Sequence, residues 1–116
     1  MHEMTLIYGI AETVEKAEKA NGIDHIDAVV VQIGEISGVV PEFIENYYPM
    51  FAETLEPLKG SEIIIEMIPA VGRCNDCDTI FDIVKHEGKC PDCGSWHKEV
   101  LSGRDFLIKE IRVREE

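Results

Sequence analysis

The chain is short of positive charge. Its 116 residues carry 11 lysines and arginines against 23 aspartates and glutamates, a formal net charge of −12. Nucleic-acid binding runs on basic side chains that neutralise phosphates. Here the basic clusters, such as Lys109–Arg114, are short and interrupted by acids. The balance argues against a nucleic-acid partner and suits attraction of cations or docking to a basic protein face. Long apolar runs are missing as well: none approaches the roughly 18 residues that span a bilayer, so no membrane association is expected. The N-terminus lacks a basic region followed by an apolar core, the pattern of a secretory signal. The chain therefore reads as cytoplasmic. No Ser/His/Asp arrangement, phosphate-binding glycine loop or pair of catalytic acids stands out, and the expectation is a protein that is not an enzyme.

Cysteine is scarce too, with four residues in all, but their placement is specific. Cys74/Cys77 and Cys90/Cys93 form two Cys-x-x-Cys pairs separated by twelve residues. A tetrahedral zinc ion needs four soft ligands in a small volume, and two tight turns presenting two thiolates each provide them at zinc-ribbon spacing. Cytosolic reductants favour thiolates on metal over disulfides. A redox Cys-x-x-Cys normally occurs as one pair at a strand-to-helix junction, which two pairs at this spacing do not resemble. Four cysteines also close the coordination shell, whereas a catalytic zinc keeps a position open. The zinc is expected to be structural. His86 and His97 lie close enough to substitute as ligands, although exposed loop positions suit them better. Gly94 after the second pair supplies the left-handed turn of a knuckle, and Asp78 must do the same after the first. Ile80, Phe81, Ile83, Val84 and Trp96 are candidates for the apolar patch behind the metal.

The rest of the chain reads as an α+β domain. Met4, Ile7, Ile10, Ala11, Val14 and Ala17 fall at helical spacing, and Asn21-Gly22 stops the helix. Gly9 within it suggests a close backbone approach. Ala28–Ile36 is a β-branched strand. Pro41 opens a second helix whose stripe runs through Phe43, Ile44, Tyr47, Phe51, Leu55 and Leu58, with a kink or break expected near Tyr48 because of Pro49. The aromatic cluster in this helix is read as core. Glu62–Ile68 and Arg104–Val113 are two further strands, and His25 flanks the turn into the first strand. The expectation is two helices on a small three-stranded mixed sheet, formed by residues 1–70 and 99–116. A zinc-ribbon-like insertion, residues 71–98, falls between the second and third strands and is too short to bury a core of its own.

The first three residues, Met1-His2-Glu3, are a chelator. The terminal amine, the His2 amide nitrogen and the His2 imidazole can close fused rings around one metal in a plane, with Glu3 completing the fourth position. Square-planar nitrogen ligation suits Ni²⁺ or Cu²⁺.

The Met-His-Glu-Met start, the Val29–Val39 strand and turn (VVVQIGEISGV), Pro41-Glu42 and the Cys-Pro-x-Cys-Gly-Ser run at Cys90–Ser95 together resemble the HypA/HybF family. These are nickel metallochaperones of [NiFe]-hydrogenase maturation, some of which also serve urease. The resemblance covers essentially the whole chain. It implies a two-metal protein, with structural Zn(II) on Cys74, Cys77, Cys90 and Cys93 and labile Ni(II) cargo on Met1, His2 and Glu3. It also implies a nickel-handling GTPase and the hydrogenase large subunit as partners, and urease accessory proteins for part of the family. Asp78, where the family often has glycine, and Pro49 depart from its pattern. Nothing in the chain demands more than a monomer or a weak homodimer. The alternative reading is a zinc-stabilised protein–protein adaptor that transports no metal.

Overall fold

A computed structural model describes residues 2–113, the side chain of His2 excepted. Helix α1 spans His2–Asn21 and buries Leu6, Ile7, Ile10 and Val14 along one stripe. Its polar side carries the i,i+4 pairs Glu12–Lys16 and Glu15–Lys19. Gly22, at φ +65°, ends it with an N–H to the Glu18 carbonyl, the left-handed stop that glycine permits.

Strand β1 (Ile26–Gly34) is the centre of the main sheet. It pairs parallel with β2 (Glu62–Ile68) and antiparallel with a later strand, Phe106–Val113, so the three-stranded sheet is mixed. Val29, Val31 and Ile33 point from β1 into the core, where α1 and α2 (Pro41–Ala52) cover one face. A short 3₁₀ turn, Glu56–Leu58, closes the crossover from α2 to β2.

Two expectations for this half are corrected. Helix α2 runs unbroken through Pro49 and stops at Ala52, so Leu55 lies beyond it and Leu58 in the 3₁₀ turn. Proline costs a single helical hydrogen bond this near the C-terminus, and the buried stripe Ile44, Tyr48, Ala52 holds the turn around it. Gly9 is not a tight spot either, because an added Cβ would meet Ile108 Cδ1 at an ordinary 3.7 Å. The tight glycines lie at the join between the two halves. A Cβ on Gly103 would come within 2.5 Å of Ala70 Cα, and one on Gly34 within 2.8 Å of the Asp105 carbonyl.

The cysteine segment holds a second three-stranded sheet of its own: β3 (Val71–Cys74), β4 (Ile80–Asp82) and β5 (Lys98–Ser102), in the order β4-β3-β5. All its pairings are antiparallel, and residues 99–102 pair with β3 in this sheet. The chain then returns to the main sheet as β6 (Phe106–Val113). At the join, Glu35 Oε1 accepts the Ala70 N–H at 2.8 Å, and Ser102 Oγ donates to the Pro69 carbonyl at 2.8 Å. The N–H groups of Gly34, Glu35 and Ile36 reach the Asp105, Ile68 and Gly103 carbonyls. Every strand crossing between the two halves is therefore tied to the end of β1.

Candidate metal centre

The two knuckles are the same device built twice. Each begins on a cysteine whose N–H reaches a carbonyl five residues on: Cys74 to Thr79, and Cys90 to Ser95, both at 2.9 Å. Four residues on, the chain turns left-handed and donates back to that first cysteine's carbonyl, from Asp78 at 2.9 Å and from Gly94 at 3.0 Å. The φ values, +63° at Asp78 and +76° at Gly94, are those expected from the sequence. Aspartate adopts this conformation at a cost that glycine avoids.

The turns bring Cys74, Cys77, Cys90 and Cys93 together, with all four Sγ atoms within 4.8 Å of one another. The Cys74–Cys93 and Cys77–Cys90 sulfurs are 3.5 Å apart, and all four thiols are free. Zinc–sulfur bonds of about 2.3 Å in a tetrahedron place sulfurs about 3.8 Å apart. The cluster fits that ion with small adjustments, and four thiolates leave no position for a substrate. Cys74 and Cys90 are buried, while Cys77 and Cys93 are exposed, so the site has one covered and one open side.

The neighbours tune the sulfurs unequally. The Thr79 hydroxyl, followed by its N–H, brings the Cys77 thiol down to about 7. At Cys93 the Ser95 N–H acts in the same direction. The Cys74 sulfur, local desolvation and the other two sulfurs outweigh it and push that thiol up to about 12. A metal that binds the cysteines as thiolates must displace the thiol protons.

Behind the cysteines lies a small cluster of Ala70, Cys74, Phe81, Ile83 and Cys90, with Val100 against it. Phe81 and Ile83 are where the sequence placed them. Ile80, Val84 and Trp96 are exposed instead, at 63%, 49% and 61%. Alternation along β4 sends Ile80 to the side opposite Phe81. His86 packs its ring edge-on to Phe81 at 6.3 Å, and His97 sits exposed with Nδ1 3.7 Å from Asp76 Oδ2. Neither joins the sulfur cluster among the described residues. His25 Nε2 lies 3.3 Å from Asp27 Oδ1 at the entrance to β1.

Sequence reasoning passed over four residues that link the knuckles. Thr79 Oγ1 donates to Asp92 Oδ2 at 2.6 Å, and Ser95 Oγ donates to Asp76 Oδ2. Both pairs cross from one knuckle to the other. The signal was present as a repeated Cys-x-Asp-Cys-x-(Thr/Ser) pattern.

Of the expected nickel ligands, Met1 and the His2 imidazole lie outside the described residues. Glu3 is half-buried in the first turn of α1, where a negative charge suits the positive end of the helix dipole.

A family model described as hydrogenase/urease nickel incorporation, metallochaperone, hypA matches residues 1–113. The chain is 36% identical over 114 residues to the hydrogenase maturation factor HypA of Geobacter sulfurreducens (strain ATCC 51573 / DSM 12127 / PCA), covering 97% of this chain and 99% of that one. It is 35% identical over 113 residues to the factor of the same name from Geotalea uraniireducens (strain Rf4), again covering 97% and 99%. In fold it is similar to the solution structure of the Ni metallochaperone HypA from Helicobacter pylori, with a TM-score of 0.66, 23% identity and 98% of each chain covered. A second HypA solution structure aligns at a TM-score of 0.71, with 24% identity, 100% of this chain and 98% of that one. The chain belongs to the HypA family of hydrogenase and urease nickel-incorporation proteins, which are metallochaperones and not enzymes.

Proposed function

We propose that this chain carries Ni²⁺ on Met1, His2 and Glu3 and passes it, with a nickel-handling GTPase, to the large subunit of a [NiFe]-hydrogenase in the cytoplasm. Urease accessory proteins are a second destination, consistent with the hydrogenase/urease description of the matching family. The observation that carries the reading is Met1-His2-Glu3 at the head of a chain matched to that family from its first residue. Helix geometry supports it. The first four N–H groups of a helix have no intrahelical acceptor, so the His2 and Glu3 amide nitrogens can turn to a metal without breaking a backbone bond.

Zn²⁺ on Cys74, Cys77, Cys90 and Cys93 fastens the ribbon and stays bound. Its role is to shape the second sheet, because a closed thiolate shell offers the cargo no place. Delivery is ligand exchange onto another protein, so no bond of a substrate is made or broken. Ligand type alone favours copper over nickel at such a site; selectivity then rests on which metal the partners supply and accept.

Titrating the untagged protein with Ni²⁺ should develop the yellow absorbance of a square-planar complex. His2→Ala, or a few residues added before Met1, should abolish it. Equal nickel affinity in the protein and in His2→Ala would overturn the assignment and favour the adaptor without cargo.

A further inference from the structure

The two hydrogen bonds that cross the cysteine cluster are reciprocal. Asp76 is the third residue of the first knuckle and accepts from Ser95, the sixth of the second. Asp92 is the third residue of the second knuckle and accepts from Thr79, the sixth of the first, at 2.6 Å. The two bonds join equivalent positions of the two knuckles, as the backbone turns do. Each donor is the residue whose carbonyl also accepts its own knuckle's first cysteine N–H, at 2.9 Å in both cases. Lifting either knuckle off the metal therefore strains both cross-bonds at once.

We infer that Asp76–Ser95 and Asp92–Thr79 form a latch that holds the knuckles together and sets how fast the ribbon exchanges its metal. These four are positioning residues that act through the cysteines. The inference rests on the zinc reading of Cys74, Cys77, Cys90 and Cys93.

Metal loss from a four-thiolate site starts when one sulfur detaches, and the exposed Cys77 and Cys93 are the ones a competing ligand reaches. Asp76 and Cys77 are adjacent, as are Asp92 and Cys93, so each carboxylate is anchored beside the sulfur that would leave first. A hydroxyl–carboxylate bond open to water is weak alone. Here two of them oppose the same motion, across the open side that the apolar cluster does not cover. Partners that orient metal ligands typically change affinity about 10- to 100-fold when removed. The latch leaves the resident metal bound while cargo passes at the other end of the chain.

The test is the rate at which the zinc-loaded full-length protein gives its metal to a colorimetric chelator, with zinc content measured beforehand. Asp76→Ala/Asp92→Ala should release zinc about tenfold faster or more. Asp76→Asn/Asp92→Asn, which keeps an acceptor oxygen and drops the charge, should stay within about threefold of wild type. The exchange Asp76→Ser/Ser95→Asp rebuilds one cross-bond in reverse and should be slower than Ser95→Ala, the smallest lesion. That ordering separates a latch from simple attraction of zinc by negative charge, which would make asparagine as damaging as alanine. A wild-type rate in the double alanine variant overturns the latch, as does an exchange variant no slower than Ser95→Ala. A wild-type protein that takes up no zinc would instead overturn the zinc reading itself.

Discussion

The two halves of the molecule solve the same problem with different material. The α/β half closes around Leu6, Ile7, Ile10, Val14, Val29, Val31, Ile33, Ile44, Tyr48 and Leu58, all essentially inaccessible to solvent. The ribbon half buries Ala70, Phe81, Ile83 and two of its own metal-binding cysteines. Burial of apolar surface stabilises by about 25 cal/mol per Å². The first half buries many more apolar side chains than the second; on the proposed reading, a metal on the four cysteines makes up the difference. One region is a core, and the other is a four-cysteine cluster with a few side chains behind it.

Removing zinc should separate the halves most sharply. Zinc binding to small ribbon- and finger-like folds carries of order 10 kcal/mol of folding free energy. Stripping the metal should therefore abolish amide-exchange protection in β3, β4 and β5 while leaving it in β1, β2 and β6. Uniform loss of protection across both sheets would show that the two halves are held together as one unit.

A core truncation should do the reverse. Ile44 is fully buried on α2, and Ile44→Ala should cost about 2–5 kcal/mol by denaturant unfolding. Its zinc content, counted by metal analysis, should match wild type.

The smallest expected effect lies within the ribbon. Asp78 stands at φ +63° where its twin Gly94 stands at +76°. Asp78→Gly relieves a left-handed aspartate and should stabilise the zinc-loaded ribbon by roughly 1 kcal/mol. Ribbon-specific amide exchange reads that out. A destabilised variant would mean that the Asp78 side chain is itself needed.

The α/β half was the more legible in the sequence, because a core leaves periodic traces. Ile7, Ile10 and Val14 recur at helical spacing, and Val29, Val31 and Ile33 alternate as a strand does. The four cysteines were legible for another reason, since thiolate ligation demands residue types and spacings that chance rarely supplies. The rest involved distances that local patterns do not encode. β3, β4 and β5 are three to five residues long, too short to show a period. Proline near the end of α2 was overruled by tertiary burial of Tyr48, whose hydroxyl meets Ser61 Oγ at 2.8 Å. Gly34 is tight against Gly103 and Asp105, and Gly103 against Pro69 and Ala70; these partners lie far off in the chain, and no window around either glycine reveals them. The aspartates and hydroxyls linking the knuckles read singly as ordinary polar loop residues. Only their repetition in register with the cysteines gives them meaning.

On the proposed reading the two metals divide the labour: the one on the four cysteines stays, and the one at the N-terminus travels. Its most direct test is a count of both metals in two untagged variants after loading with zinc and nickel together. His2→Ala should keep one zinc per chain and lose tight nickel, and Cys90→Ser should lose zinc and keep nickel. If either variant lost both metals, or if His2→Ala still bound nickel as wild type does, the two metals would not occupy separate sites with separate roles.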